Sequence, residues 1–380
     1  MSLPLAGVTV VDFSRILSGP YATMILADLG AAVIKVERPG RGDGARALPP
    51  LKDGKSAYFA TLNRGKRSIA LDFEDETDRA LLDRILARAD VVVENFRPGV
   101  LARHGLDWET LHTRFPALIH ASVSGYGQTG PDAKRPSYDA VAQARGGMMA
   151  MTGAPGTPAR AGGSVAELAG GMFLAHGVLA ALYDRARSGT GRRIDVGLLD
   201  AQIAMMEQAV TQAAVGPAPE AAGTRHPLIA PSEAVAASDG PFVVSAGTDA
   251  QFERLCMCLQ LPLSDDPRFV DNAARLAHAR LLKRLIEAAT LEHPRSYWLS
   301  RLTAAGVPCA PIQDMAQVLK DPQLMARNMI VDVLDRFGRA TFKAPGNPIK
   351  ISGMEDRPAR PAAPELDGNR ADILRWLGDG

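Results

Sequence analysis

Two sets of residues in this 380-residue chain have types and spacing suited to chemistry. The first is Ser164-x-x-Glu167, placed directly before the apolar run Leu168 to Leu182. A serine three residues ahead of a glutamate at a helix start forms a capping box, in which the glutamate bonds back to the cap. The same carboxylate is also the group type that serves nucleophilic and proton-transfer chemistry. Pattern alone favours the cap. The second set is arginine-rich and glycine-rich: Glu37-Arg-Pro-Gly-Arg-Gly-Asp43, Asn63-Arg-Gly-Lys-Arg67, and Asn95-Phe-Arg-Pro-Gly99 followed by Arg103. Guanidinium forks and loop N–H groups suit phosphates, and Phe96 offers an aromatic face to a base or a pantetheine-like chain. Each arginine taken singly reads as a solvated turn residue; their grouping is the signal.

Several chemistries lack their motifs. No GxGxxG follows the first predicted strand, and no GxxxxGK[ST], HExxH, CxxC or GxSxG occurs. Gly125-Tyr-Gly-Gln-Thr-Gly130 has the dinucleotide spacing, but Pro131 follows where that fingerprint needs a helix, so the segment reads as a turn-rich loop. Cys256 and Cys258 fall in an apolar helical stretch and read as core, and no metal site is expected. His176, on the apolar run after Glu167, reads as a core histidine.

The elements that must position these residues alternate between strand and helix. Val8 to Asp12 is a predicted strand, Tyr21 to Leu29 a helix and Ala32 to Val36 a strand; Ser68 to Leu71, Asp90 to Glu94 and Ala117 to Val123 add further strands. Repeated βαβ units imply a parallel sheet wrapped by helices, with loops at the strand carboxyl ends forming one ligand-binding rim. Arg38, Arg41, Arg64, Lys66, Arg97 and Arg103 are expected to make that rim basic. A long helix is predicted from about 165 to 187, and another from 198 to about 214. An Ala/Pro/Gly-rich stretch then leads into a compact α+β region.

Composition narrows the class. Lys plus Arg number 43 against 42 Asp plus Glu, a net charge of +1 that offers no drive towards nucleic acid or membrane. Hydrophobic residues make up 46% and charged residues 22%, as in a globular protein. Three cysteines in a long chain point to a reducing compartment, and the amino-terminal segment reads as a strand rather than an export signal; a cytoplasmic location is expected.

Ordered along the chain, Asp12-Phe with Ser18-Gly-Pro20, Ala27-Asp-Leu-Gly-Ala31, Val33 to Gly40, Asn63 to Ser68, Val93 to Gly99, Ser124 to Pro131, Tyr138-Asp139 with Gln143-Ala144, and Thr152-Gly153 carry a resemblance. It continues through Gly223-Thr-Arg-His-Pro227, Asp239-Gly240, Gln251-Phe252 and Ala305 to Pro311. The chain resembles the family III coenzyme A transferases, the superfamily of formyl-CoA transferase, carnitine-CoA transferase and acyl-CoA racemase. The resemblance implies an α/β fold: a Rossmann-like large domain with a parallel sheet plus a smaller α+β domain, in ring-shaped monomers that interlock as a homodimer. The boundaries implied are 1–200 for the large CoA-binding domain, 201–224 for a linker, 225–325 for the small domain, and 326–380 for a second linker and the return to the large domain.

It further implies a catalytic carboxylate at the start of the 165–187 helix. Glu167 occupies the position where family transferases carry Asp, and a helix amino terminus is expected to keep it ionised. Coenzyme A is implied to bind through Leu17, Ser18, Arg38, Leu71, Asn95, Phe96, Arg97, Arg103 and Tyr138, with Tyr138, Arg225 and His226 near the acid substrate. No tightly bound cofactor or metal is implied; coenzyme A and its thioesters are substrates. The expected activity is transfer of coenzyme A from an acyl-CoA, succinyl-CoA being one candidate donor, to a small carboxylic and preferably dicarboxylic acid. Two alternatives stay open: a racemase or epimerase working by α-proton transfer, which in this superfamily uses His-Asp where this chain has Tyr138-Asp139, and a CoA-binding homologue impaired by the Asp-to-Glu change.

Overall fold

A computed structural model describes residues 3–378. The chain forms two compact units: residues 1–147, 161–210 and 319–380 make the larger, and residues 148–160 and 211–318 the smaller.

Six parallel strands form the centre of the larger unit: β1 (Thr9–Asp12), β2 (Ala32–Glu37), β3 (Arg67–Ala70), β4 (Val91–Glu94), β5 (Ile119–Ser124) and β6 (Arg193–Gly197). Their order across the sheet is β3-β2-β1-β4-β5-β6. This is the doubly wound arrangement, in which strand order reverses between β1 and β4 and opens a crevice at their carboxyl ends. Short β-branched runs buried on both faces explain the strands: Val91, Val92 and Val93 are fully enclosed.

Helices cover both faces. On one lie α1 (Ser18–Asp28), α5 (Asp139–Arg145), α6 (Val165–Ser188) and α7 (Leu198–Ala204), packed through Ala22, Leu26, Ala142, Leu174, Val178 and Leu198. On the other lie α3 (Glu76–Leu86), α4 (Trp108–Arg114) and α11 (Arg370–Leu377), packed through Leu82, Ile85, Leu111, Ile373 and Leu377. The edge strand β3 is closed by the carboxyl-terminal segment, with Ser68 N–H and Ala70 N–H donating to Asn369 and Asp367 at 3.0 and 2.8 Å. A short helix, α2 (Ala57–Asn63), precedes β3.

α6 is 24 residues long and apolar enough to cross a bilayer, but half of its apolar window is buried against the sheet, as in a core helix. His176 lies on the exposed side of α6, contrary to the core role expected of it. The helix expected from 198 to about 214 is broken: α7 ends at Ala204, and a separate helix spans Glu207–Val215. The stretch between Pro131 and α6, for which no helix is predicted, contains α5.

The smaller unit carries a three-stranded antiparallel sheet of β7 (Ser232–Ala237), β8 (Gly240–Ser245) and β9 (Cys309–Pro311). Helices α8 (Asp249–Leu259), α9 (Ala279–Thr290) and α10 (Arg295–Ala304) complete it around a core that includes Phe242, Phe252, Leu282 and Trp298. Cys256 is part of that core, and burial pushes its thiol up to about 11, which suits a structural role. Among the described residues no group of acids, histidines or cysteines is arranged to hold a metal ion.

Candidate active site

The crevice at the switch point is built on the turn that follows β1. Asp12, the last residue of β1, accepts from Ser14 N–H at 2.9 Å, from the Ser14 hydroxyl, from Thr23 Oγ1 at 2.7 Å and from Lys66 Nζ at 3.0 Å. Burial by itself would raise this carboxyl, but Lys66 and Lys35 with the two hydroxyls hold it down at about 2. Asn95, just beyond β4, clamps the next peptide: its Oδ1 accepts from Arg15 N–H at 2.8 Å and its Nδ2 donates to Arg15 C=O at 2.6 Å. Asp43 then accepts from Ile16 N–H at 3.1 Å. Ile16 has φ +68°, a left-handed conformation that a β-branched residue adopts only under constraint. From there the chain enters α1 at Ser18.

Leu17, at the cap position of α1, supplies no side-chain cap. The first N–H of the helix is satisfied from elsewhere: Ser18 N–H donates to Glu167 Oε2 at 3.0 Å. Glu167 is the third residue of α6 and only 8% exposed. The capping box expected around it does not form, because the Ser164 side chain makes no cap bond. The cap comes instead from α5, where Asp139 Oδ1 accepts from Ala166 N–H at 3.0 Å. Gln143 braces it, donating to Asp139 Oδ2 at 2.8 Å and Gly163 C=O at 3.2 Å while accepting from Ala161 N–H at 3.0 Å. With its own helix capped by Asp139, Glu167 turns towards α1. Gly171 permits the close approach, since a Cβ there would sit 2.5 Å from the Ser18 carbonyl oxygen.

The electrostatics of Glu167 differ from the sequence expectation. Burial raises its pKa, while the Ser18 N–H and hydroxyl lower it and the Asp139 charge raises it further. The helix terminus that favours its anion is that of α1, across the crevice, and burial outweighs it. Tyr58, on α2, belongs to the same electrostatic neighbourhood: burial pushes its phenol up to about 12, helped by the charges of Glu167 and Asp43. Sequence reasoning passed over Tyr58. The available signal was Ser56, which caps α2 by accepting from Phe59 N–H at 3.0 Å and so fixes where Tyr58 projects.

At the Ser14–Arg15 turn the rim opens into a cleft of ≈ 400 Å³, lined by Phe13, Arg15, Arg38, Arg41, Asp43, Leu71, Phe73, Phe96 and His104 among others. The Arg15 guanidinium lies 4.9 Å from the centroid of the Phe96 ring. Phe96 N–H donates to Glu94 Oε2 at 2.7 Å, which fixes the loop that presents the ring. An aromatic face between arginines suits an adenine nucleotide with its phosphates. Arg103 lines an adjoining recess with Phe73, Arg79 and His104, and Arg97 is exposed on the same loop.

The structure thus brings together Leu17, Ser18, Asn95 and Glu167, and places Arg38, Leu71 and Phe96 on the neighbouring cleft. Tyr138 stands at the start of α5 and is 69% exposed. Arg225 and His226 belong to the smaller unit, where His226 Nδ1 accepts from Leu228 N–H at 3.1 Å. Two cations leave the expected basic rim. Arg64 is buried against Asp28 at 2.9 Å, and Lys66 is buried against Asp12 at 3.0 Å. Both are spent on internal carboxylates, so neither reaches a phosphate.

Comparison with known proteins agrees with this architecture. The profile of CoA-transferase family III matches residues 5–370. An acetyl-CoA:oxalate CoA-transferase of Acetobacter aceti is 45% identical over 98% of this chain and 95% of its own length. A succinate–glutarate CoA-transferase of Agrobacterium fabrum is 39% identical over 98% of this chain and 96% of its own. The crystal structure of a CaiB/BaiF family protein from Brucella suis superposes with a TM-score of 0.87 at 39% identity, covering 99% of this chain and 100% of that one.

Proposed function

The chain belongs to CoA-transferase family III, and from that premise we propose that it moves coenzyme A from an acyl-CoA to a small dicarboxylic acid by way of a covalent thioester on Glu167. The observation that carries the reading is the Glu167 carboxylate, desolvated and held by the Ser18 N–H at 3.0 Å at the strand-order switch point, on the turn whose Ser14 and Arg15 line a nucleotide-sized cleft. A carboxylate with few water partners has its nucleophilic oxygen uncovered, and burial has already raised its basicity. The cleft residues Arg38, Leu71 and Phe96 would take the nucleotide end of coenzyme A, and the turn Leu17–Ser18 with Asn95 its thioester end.

The proposed cycle balances without a redox partner. The Glu167 carboxylate attacks the thioester carbonyl, the C–S bond breaks, and a mixed anhydride and coenzyme A thiolate result. The thiolate attacks the Glu167 carbonyl carbon, expelling the donor acid as its carboxylate and leaving Glu167 joined to coenzyme A through sulfur. The acceptor carboxylate attacks that thioester and releases the thiolate, which then takes the acceptor acyl group and restores the Glu167 carboxylate. N–H donors at the start of α1 oppose the negative charge that develops at each tetrahedral stage. The relatives named for oxalate and glutarate suggest an acceptor with two carboxyl groups. Assembly as a homodimer, and work in the cytoplasm, complete the proposal.

The test pairs acetyl-CoA or succinyl-CoA with oxalate, glutarate or mesaconate, follows the acyl-CoA products, and traps the enzyme with hydroxylamine before the acceptor is added. A hydroxamate on the peptide containing Glu167, with transfer to a dicarboxylate, is the expected result. Transfer with no modification at Glu167, or α-deuterium exchange into the acyl-CoA without any acceptor, would overturn it.

A further inference from the structure

Ile16 is the one residue between β1 and α1 held in the left-handed region; Asn95 fixes the peptide before it, and its own N–H is held by Asp43. Asp43 is buried, with one oxygen accepting from Ile16 N–H at 3.1 Å and Ala45 N–H at 2.9 Å. Its other oxygen meets Lys35 Nζ at 3.0 Å, and the side chains of this pair are entirely shielded from solvent. Lys35 Nζ also donates to Ser14 C=O at 2.8 Å, so the pair grips the turn on both sides of Arg15. The Asp43 N–H donates in turn to Glu37 Oε2 at 2.9 Å, which ties the clamp to β2. Two residues after Ile16, Ser18 N–H meets Glu167. A left-handed residue reverses the chain direction locally, so its conformation decides where the next peptides point.

We propose that Asp43, neutralised by Lys35, is a positioning residue: it keeps Ile16 left-handed and thereby aims the Ser18 N–H at the Glu167 carboxylate. Asp43 borders the cleft, but its side chain is entirely shielded from solvent, so in this account it acts only through the turn. The inference rests on Glu167 being the nucleophile. It assigns a task in the reaction to a buried ion pair that would otherwise count as scaffold. Such a pair is weak evidence for stability, since well-packed apolar replacements often serve as well.

The test compares two double variants, because removing Asp43 alone would leave Lys35 charged and unpaired in the core. Lys35→Met with Asp43→Asn removes the charges but keeps an acceptor for Ile16 N–H; Lys35→Met with Asp43→Ala removes the acceptor too. The readout is the single-turnover rate of coenzyme A thioester formation on Glu167, together with KM for the acyl-CoA. The asparagine pair is expected to stay within about tenfold of the unsubstituted enzyme. The alanine pair should fall by about 100-fold with KM nearly unchanged, the scale expected when a reacting group is misplaced by about 1 Å. Adding Ile16→Gly to the alanine pair should recover about tenfold, since glycine enters the left-handed region without strain. Equal rates in the two double variants, or no recovery with glycine, overturn the positioning role. Absence of any Glu167 adduct in the unsubstituted enzyme overturns both this inference and the nucleophile reading, whereas an adduct formed equally fast in every variant overturns this inference alone.

Discussion

The two faces of the parallel sheet bury ionisable groups in opposite ways. On the face covered by α1 and α6, charges are buried in pairs of opposite sign: Lys66 with Asp12 at 3.0 Å, Lys35 with Asp43 at 3.0 Å and Arg46 with Glu37 at 2.6 Å. On the face covered by α3 and α4, Glu94 and His120 are buried without such partners. Burial raises Glu94 to about 8, opposed by the Phe96 N–H and aided by Asp195, and burial lowers His120 to about 4, with Arg193 acting in the same direction. Burial therefore favours the neutral form of both groups. Both regions hold site loops: Asp12 and Asp43 pin the turn that reaches Glu167, and Glu94 pins Phe96. The difference teaches that a buried charge is tolerated either by compensation or by losing its charge, and that compensation has a limit, since burial lowers Lys66 to about 8 even beside Asp12.

The sharpest way to test the compensated face is at the group it positions. Glu167→Gln retains a carbonyl oxygen for Ser18 N–H but cannot form the anhydride, so transfer should fall by about 10⁴-fold or more with little change in melting temperature. Transfer assays and thermal unfolding of the same preparation check both halves of that statement. Below it in scale comes Asp12→Ala, which leaves Lys66 buried and uncompensated and should cost about 3–5 kcal/mol by denaturant unfolding. Asp12→Leu with Lys66→Met should recover most of that loss. Because the folded Asp12 pKa of about 2 lies below its unfolded value, its contribution is complete above about pH 4 and disappears as pH falls through 2.

The uncompensated face predicts the opposite pH dependence. The folded pKa of Glu94, about 8, lies above the unfolded value, so the native state binds the extra proton between about pH 4.5 and 8. Its stabilising contribution is complete below about pH 4.5 and is lost as pH rises through 8. Glu94→Gln, which cannot ionise and still accepts from Phe96 N–H, should therefore be more stable than the unsubstituted protein at pH 9, by roughly 2–4 kcal/mol. The two proteins should converge below about pH 4.5. A difference that does not change with pH would mean that the two faces are compensated alike.

Much of this was legible in the sequence, for identifiable reasons. Val91-Val-Val93 and its counterparts state a buried parallel strand in their composition, and the order of the motifs placed the rim loops and Glu167. What the sequence hid were choices between partners. Arg64 and Lys66 look like rim cations, but Asp28 and Asp12, distant in sequence, take them inward. Ser164-x-x-Glu167 is a sound local pattern, overridden because a better cap arrives from Asp139. Ile16 carries no mark of its left-handed conformation, since glycine would be the expected residue there.

Asp139 offers the finest test. It is a buried carboxylate that accepts from the Ala166 N–H, at a helix terminus, and from the Gln143 amide. Replacing it with Ala removes the cap of α6 and should cost about 2 kcal/mol, the upper end for caps. Asp139→Asn keeps one oxygen for Ala166 N–H but sets its own NH₂ against the Gln143 amide unless Gln143 reorients, so about 1 kcal/mol is expected. Midpoints of denaturant unfolding at unchanged slope measure both. The kinetic consequence separates cap from scaffold. If Asp139 frees Glu167 by capping α6 in its place, the uncapped alanine variant lets Glu167 turn back to its own helix start. Its thioester-forming rate should then drop about tenfold while the asparagine variant stays near the unsubstituted rate. Equal rates in the two variants would mean that Ser18, rather than the missing local cap, decides where Glu167 points.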